Sequence, residues 1–167
     1  PDVGDPHFNL SLLLLANGRL AEGWPEYEWR WQQIGANVRP REFAEPTWDG
    51  SDLGGKTILL WSEQGLGDTL QFCRYARLAA ARGARVVLVV QPPLVPLLTG
   101  LDGVADVLPT DAALPTFDFH CPLLSLPLAF GTRLETIPPP IVPRSDPTRV
   151  AAWHERENSA AASAPRY

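Results

Sequence analysis

A short apolar run that leads into a glycine-containing loop constrains the fold of this chain more than any other feature. Residues Thr57–Trp61 are typical of a strand that is buried on both faces, and the loop at 62–67 leads from them into a helical pattern at about 68–82. Further strand patterns lie at about 86–90, 104–108 and 117–121, with short helical patterns at 93–98 and 124–130 between and after them. Such alternation favours parallel pairing with right-handed crossovers. We therefore predict an α/β fold with a parallel, Rossmann-like sheet.

The residues before this pattern indicate a helical hairpin at 7–33. The first helix, at about 7–17, would bury Leu10, Leu13 and Leu14 and would end at Asn17 and Gly18. The second helix, at about 20–33, contains Pro25, which should kink it or move its start. A hairpin of this size cannot bury both of its faces alone, so it needs a neighbour, as the units of repeat proteins do.

The composition of the chain divides it into four parts. Prolines and glycines break regular structure at 34–55, which we interpret as a linker between the hairpin at 7–33 and the Rossmann-like unit at 56–146. The remainder, 147–167, reads as a connecting helix and a tail. The chain contains no Met, which predicts that it is a fragment of a longer protein.

The charge and the cysteines exclude several classes of function. The net charge is -5 and the basic residues are scattered, which argues against a nucleic-acid partner. Cys73 and Cys121 match neither a zinc signature nor a CxxC motif, so we expect buried thiols in a reducing cytoplasm and no metal. No apolar run reaches the 18 residues of a membrane-spanning helix.

The loop after the first strand carries the residues on which chemistry could depend. It is not a phosphate-binding P-loop, because no Gly-Lys-Ser/Thr follows it, and it is a poor dinucleotide fingerprint, because Leu70 stands where the third glycine belongs. A helix N-terminus favours negative charge, and the ionised carboxylate of Asp68 could accept a hydroxyl proton there. Asp68 is equally suited to be an N-cap, with Gln71 completing a capping box. Spacing alone leaves both interpretations open.

Several longer motifs carry a family resemblance. They are Glu22-Gly23-Trp24, Tyr27-Glu28-Trp29-Arg30-Trp31, Trp48-Asp49-Gly50, Glu63-Gln64-Gly65-Leu66-Gly67-Asp68 and Cys121-Pro122-Leu123-Leu124-Ser125-Leu126-Pro127. Together they resemble bacterial tetratricopeptide proteins with a glycosyltransferase-like domain similar to glycosyltransferase family 9, the heptosyltransferases. Leu10, Ser11, Gly18, Gly23 and Tyr27 match positions of the repeat. Arg30 departs from it, since a small residue is usual there, which suggests a final, atypical repeat.

The resemblance implies a GT-B fold, in which the first Rossmann-like half meets the acceptor and the second binds a nucleotide-sugar donor. It assigns Asp68 the role of general base in an inverting transfer to a hydroxyl of a glycan or protein. It implies pocket or loop roles for seven further residues: Glu63, Gln64, Gly65, Gly67, Gln71, His120 and Ser125. This chain would hold the last repeat and the first half, so we expect it to be inactive alone. The resemblance implies no cofactor besides the nucleotide-sugar donor.

A second class of function remains open. The chain could be a non-catalytic module that binds protein partners through its repeat, with the Rossmann-like half as a scaffold. Trp24, Trp29 and Trp31 would then form an interaction surface, although they could equally seal the hairpin onto the sheet. The broken fingerprint disfavours a nucleotide-dependent oxidoreductase.

Overall fold

The computed structural model describes residues 4–33, 40–142 and 147–163. Within them, two helices precede a four-stranded sheet and its connecting helices. The helices are α1 (Gly4–Ala16), α2 (Leu20–Tyr27), α3 (Leu66–Phe72), α4 (Ala76–Ala81), α5 (Val95–Leu98), α6 (Leu126–Ala129) and α7 (Pro147–Ser163). The strands are β1 (Thr57–Trp61), β2 (Arg85–Val90), β3 (Asp106–Pro109) and β4 (Phe119–Pro122).

The four strands form one parallel sheet in the order β3-β2-β1-β4. Leu60, near the end of β1, pairs with Leu88 on one side and with Cys121 on the other. The predicted α/β fold with a parallel, Rossmann-like sheet is confirmed. Each predicted strand starts within two residues of the observed one.

Both faces of the sheet are covered, as expected for parallel strands. Ile58 and Leu60 face a core built with α3, α4 and α5, whereas Leu59 and Trp61 point to the opposite face and pack near Trp31. This alternation follows from the two-residue period of a strand. The apolar runs in β1 and β2 are continuous because alternate residues pack into two separate cores, one on each face of the sheet.

The predicted hairpin is present, but α1 buries a different face from the one that we expected. Ser11 and Leu14 are buried, whereas Leu10 is 45% exposed and Leu13 is 65% exposed. The reason is close packing of the two helices: a Cβ at Gly23 would lie 2.7 Å from the side chain of Leu15. The small residues Ser11 and Gly23 thus lie on the contact face, and Leu10 and Leu13 are left on the outer face.

Two predicted helices have different bounds in the structure. Pro25 lies inside α2 and does not move its start; the helix instead tightens into a 3₁₀ turn at Glu28–Gln32. The helix expected at about 68–82 begins at Leu66 and is divided by a 3₁₀ turn at Cys73–Tyr75. Both 3₁₀ turns place a residue with a long or aromatic side chain, Arg30 or Tyr75, in a buried position.

The described part of the predicted linker packs against the sheet. Trp48 and Leu53 are buried in the main core. The backbone N–H of Trp48 donates to the carbonyl of His120 at 2.8 Å, and the N–H of His120 donates to the carbonyl of Pro46 at 3.2 Å, so this segment runs parallel to β4. Residues 34–39 lie outside the described residues.

No helix in the described ranges is long and apolar enough to cross a membrane. The same ranges contain no group of three side chains suited to hold a metal ion. The side chains of α7 from 148 to 157 are exposed, including Trp153.

Candidate functional site

The strand order places a topological switch point between β1 and β4. In open α/β sheets, ligands bind in the crevice outside the carboxyl ends of the two strands at such a point. Trp61 and Pro122, the last residues of β1 and β4, pair with each other there. The loop after β1 and the 3₁₀ turn Leu123–Ser125 after β4 therefore flank the expected crevice.

The side chain of Arg30 from the hairpin fills this crevice. Its Nε donates to Oε1 of Glu63 at 2.8 Å, and its Nη2 donates to Oγ of Ser125 at 2.7 Å. Its Nη1 donates to Oε1 of Glu28 at 2.7 Å, and the side chain is 1% exposed. We call Glu28, Arg30, Glu63 and Ser125 the Arg30 cluster. It ties the hairpin to both strands of the switch point.

Two carboxylates share one guanidinium in the Arg30 cluster. The side chain of Glu63 is fully buried and its Oε2 has no hydrogen-bond partner, whereas Glu28 keeps part of its side chain in solvent. Desolvation raises the pKa of Glu63 to about 7, although Arg30 acts in the opposite direction. The rings of Tyr27 and Trp31 lie 5.0 Å and 4.3 Å from the guanidinium carbon of Arg30.

The resemblance assigned Glu63 and Ser125 to a substrate pocket. In the structure, both side chains accept hydrogen bonds from Arg30. Ser125 also donates from its hydroxyl to the carboxylate of Glu28. The sequence did hold a signal for this contact. Arg30 stands where the repeat that the hairpin resembles usually has a small residue, and a long cation at a helix-packing position requires buried counter-charges.

The raised pKa of Glu63 predicts how stability depends on pH. Because the folded protein holds a proton on Glu63 between its ordinary pKa of 4.5 and about 7, the folded state binds more protons than the unfolded state in that window. We expect the Glu63 contribution to the free energy of unfolding to fall as the pH rises from about 4.5 to about 7 and to stay constant above that. Urea unfolding of wild type and Glu63→Gln across this range measures the contribution as their difference. A difference that does not change with pH would contradict the prediction.

Asp68 lies in the first turn of α3, at the carboxyl edge of the sheet. Its Oδ2 accepts a hydrogen bond from the backbone N–H of Gly65 at 3.0 Å. Gly65 is the N-cap and Asp68 is the third helical residue, so the interpretation of Asp68 as the N-cap was wrong. Gln71 does not complete the expected capping box, because the N-cap is Gly65 and the side chain that bonds back to it is that of Asp68. The half-buried carboxylate borders the exposed stretch 65–67.

The two glycines of this loop do not have a positive φ. A Cβ at Gly67 would meet no atom within 4 Å, so the backbone there is open to a ligand.

We expect Gly67→Ala to raise the free energy of unfolding by about 0.5–1 kcal/mol, because alanine is favoured over glycine within a helix. Thermal unfolding measures this effect. A lowered melting temperature would mean that the space beside Gly67 is filled.

Gln64 and Gln71 lie in different surroundings from Asp68. The side-chain amide of Gln64 donates to the hydroxyl of Tyr27 at 3.1 Å, so it points to the hairpin. Gln71 lines a cleft of about 320 Å³ together with Trp24 and Phe72. The predicted pocket roles of the two glutamines are therefore not supported by a shared cavity.

His120 lies on the other face of the sheet, in the second position of β4. Its Nδ1 accepts a hydrogen bond from the indole N–H of Trp61 at 3.4 Å, so the proton of the neutral ring lies on Nε2, which is 3.3 Å from Oγ1 of Thr47. Burial lowers the pKa of His120. The neutral ring therefore has Nδ1 occupied by Trp61 and Nε2 directed at Thr47. It lines a groove of about 870 Å³ that includes Ser125 but not Asp68.

The three hairpin tryptophans contact other rings of the chain. Trp24 packs edge-on against Phe72, and Trp29 stacks on His7 with ring centroids 4.2 Å apart. Trp31 packs near Trp61. The contacts of Trp24 and Trp31 favour a seal between the hairpin and the sheet, whereas that of Trp29 lies within the hairpin.

Comparison with known proteins gives one limited similarity. No family model matches the chain, and no solved structure matches it. Protein FlbA of Caulobacter vibrioides is 37% identical to it over 71 residues, which are 42% of this chain and 12% of that protein. The chain therefore spans only a small part of the length of this relative.

Proposed function

We propose that this chain is the acceptor-side half of a glycosyltransferase of the GT-B type and that Asp68 is its general base. One observation supports this proposal above the others: the carboxylate of Asp68 lies at the carboxyl edge of a Rossmann-ordered sheet, beside an open stretch of backbone. Ligands of such sheets bind at this edge. The hairpin that closes the switch point would be the last unit of a tetratricopeptide array.

The chemistry needs little from this half besides a base and a surface for the acceptor. As the hydroxyl oxygen of the acceptor attacks the anomeric carbon, its proton passes to the carboxylate of Asp68. The bond between the sugar and the nucleoside diphosphate breaks, and the pair of electrons leaves with the phosphate oxygen. The donor would be held by a second Rossmann-like half of the parent protein.

Release of nucleoside diphosphate by the full-length natural protein tests the proposal. The protein is incubated with a panel of nucleotide sugars, with and without a lysate of its own organism as the source of acceptor. Release that depends on the acceptor supports sugar transfer. Absence of release with every donor would overturn it.

The alternative, a non-catalytic interaction module, is favoured by one observation. Leu10, Leu12 and Leu13 are large apolar side chains of α1 that are exposed to solvent, and contact with another protein would bury them. Substitution of the three leucines by serine would abolish partner binding by such a module and would leave sugar transfer to small acceptors unchanged.

We also propose a cytoplasmic location, in which nucleotide sugars are available. Both cysteines are free and buried, and burial raises the pKa of each thiol, to about 11 for Cys73. Thiols of this kind are typical of a reducing compartment.

A further inference from the structure

The side chain of Gln91 forms hydrogen bonds to both ends of the loop that carries Asp68. Gln91, the residue after β2, donates from Nε2 to the carbonyl oxygen of Gln64 at 2.6 Å. Its Oε1 accepts a hydrogen bond from the hydroxyl of Thr69 at 2.9 Å. Gln64 precedes the exposed residues of the loop and Thr69 follows Asp68. Gln91 therefore fixes the separation between the two ends of the loop.

The hairpin holds the same loop from the other side. The hydroxyl of Tyr27 accepts a hydrogen bond from the side-chain amide of Gln64 at 3.1 Å. The ring of Tyr27 is buried and packs against Phe8 and Trp24, so the core fixes its position. Gln64 is thus joined through its backbone to β2 and through its side chain to α2.

We propose that Tyr27 and Gln91 are positioning residues for Asp68, which set the orientation of its carboxylate by holding the loop 64–69. This inference rests on the proposed function, because it takes Asp68 to be the base. In this role neither residue would need to touch the acceptor. Their effect is on geometry, and a general base that is misplaced by about 1 Å loses a large part of its rate advantage.

The hydroxyl of Tyr27 is the part of this arrangement that can be removed with the least disturbance. Tyr27→Phe leaves the buried ring in place and removes the acceptor for Gln64. Tyr75→Phe is a matched control, since Tyr75 is buried in the same core and its hydroxyl is hydrogen-bonded to Thr132, away from the loop. Gln91→Glu tests the second contact: it keeps an acceptor for Thr69 and loses the donor to Gln64.

The experiment compares these variants of the full-length natural protein by amide hydrogen exchange of the peptide that covers 62–72 and by steady-state kinetics. Loss of one hydrogen bond to the loop is expected to speed exchange there by about 3- to 10-fold. We expect kcat to fall by about the same factor in Tyr27→Phe and Gln91→Glu, with KM unchanged. Tyr75→Phe should alter neither the exchange of this peptide nor kcat.

Equal loop exchange in Tyr27→Phe and Tyr75→Phe would overturn the inference. Faster loop exchange with an unchanged kcat would also overturn it, because the loop would then be held without consequence for the base. If the wild type turns over no nucleotide sugar, the proposed function fails by itself. The exchange comparison still decides in that case whether Tyr27 and Gln91 hold the loop.

Discussion

Replacement of Arg30 by leucine is expected to lower the free energy of unfolding by about 3–5 kcal/mol at pH 8. The substitution leaves the fully buried carboxylate of Glu63 without its cation, and an uncompensated buried charge is among the most destabilising changes in a protein. Glu28 loses less, because its side chain reaches solvent. Urea unfolding at pH 8 measures the difference between variant and wild type.

Two further variants separate the buried charge from simple loss of packing. In Arg30→Leu/Glu63→Gln the buried charge is absent, so we expect most of the lost stability to return. Arg19→Leu removes a guanidinium that pairs with Glu22 on the surface, where both side chains are more than half exposed, and should change the stability far less than Arg30→Leu. If the double variant were as unstable as Arg30→Leu alone, packing and not charge would be the cause.

Asp68→Asn is expected to lower kcat by about 100-fold or more, with any donor that the wild type turns over. The amide cannot take up the proton of the acceptor hydroxyl. Its oxygen can still accept the hydrogen bond from the N–H of Gly65, so the free energy of unfolding should change by less than about 0.5 kcal/mol. Nucleoside diphosphate release and thermal unfolding are measured on the same preparation.

Asp68→Ala completes this comparison. It removes both the carboxylate and the hydrogen bond to Gly65, so we expect the same loss of kcat together with a loss of about 0.5–1 kcal/mol of stability. Normal turnover by Asp68→Asn would exclude Asp68 as the base and would leave it a structural role at the start of α3.

The sheet could be predicted from the sequence because its signal is local. Each strand is a short run of apolar residues, and β1 was predicted with the bounds that the structure has. Parallel pairing followed from the alternation of strands and helices. Asp68 was likewise placed correctly at the start of a helix, although the cap itself depends on backbone geometry that no residue pattern specifies.

The location of the other candidate residues could not be predicted, because it depends on how the hairpin docks. Periodicity in α1 offers two apolar faces, and the close approach of Gly23 in α2 to Leu15 selects one. Gln64, Glu63 and Ser125 are polar residues at the edge of the sheet, which is where ligand-binding residues also lie. Glu63 and Ser125 meet the hairpin through Arg30, and Gln64 meets it through Tyr27. Both hairpin residues lie far away in sequence.

The Arg30 cluster also sets an order of events during synthesis of the chain. Glu63 and Ser125 follow Arg30 by 33 and 95 residues, and a ribosome delivers the N-terminus first. The guanidinium therefore has no complete set of partners until the turn after β4 has been made. Contacts over such separations are the slow ones in folding. Arg30 is translated before Glu63 and Ser125, yet its side chain reaches its final place only after both of them have been made.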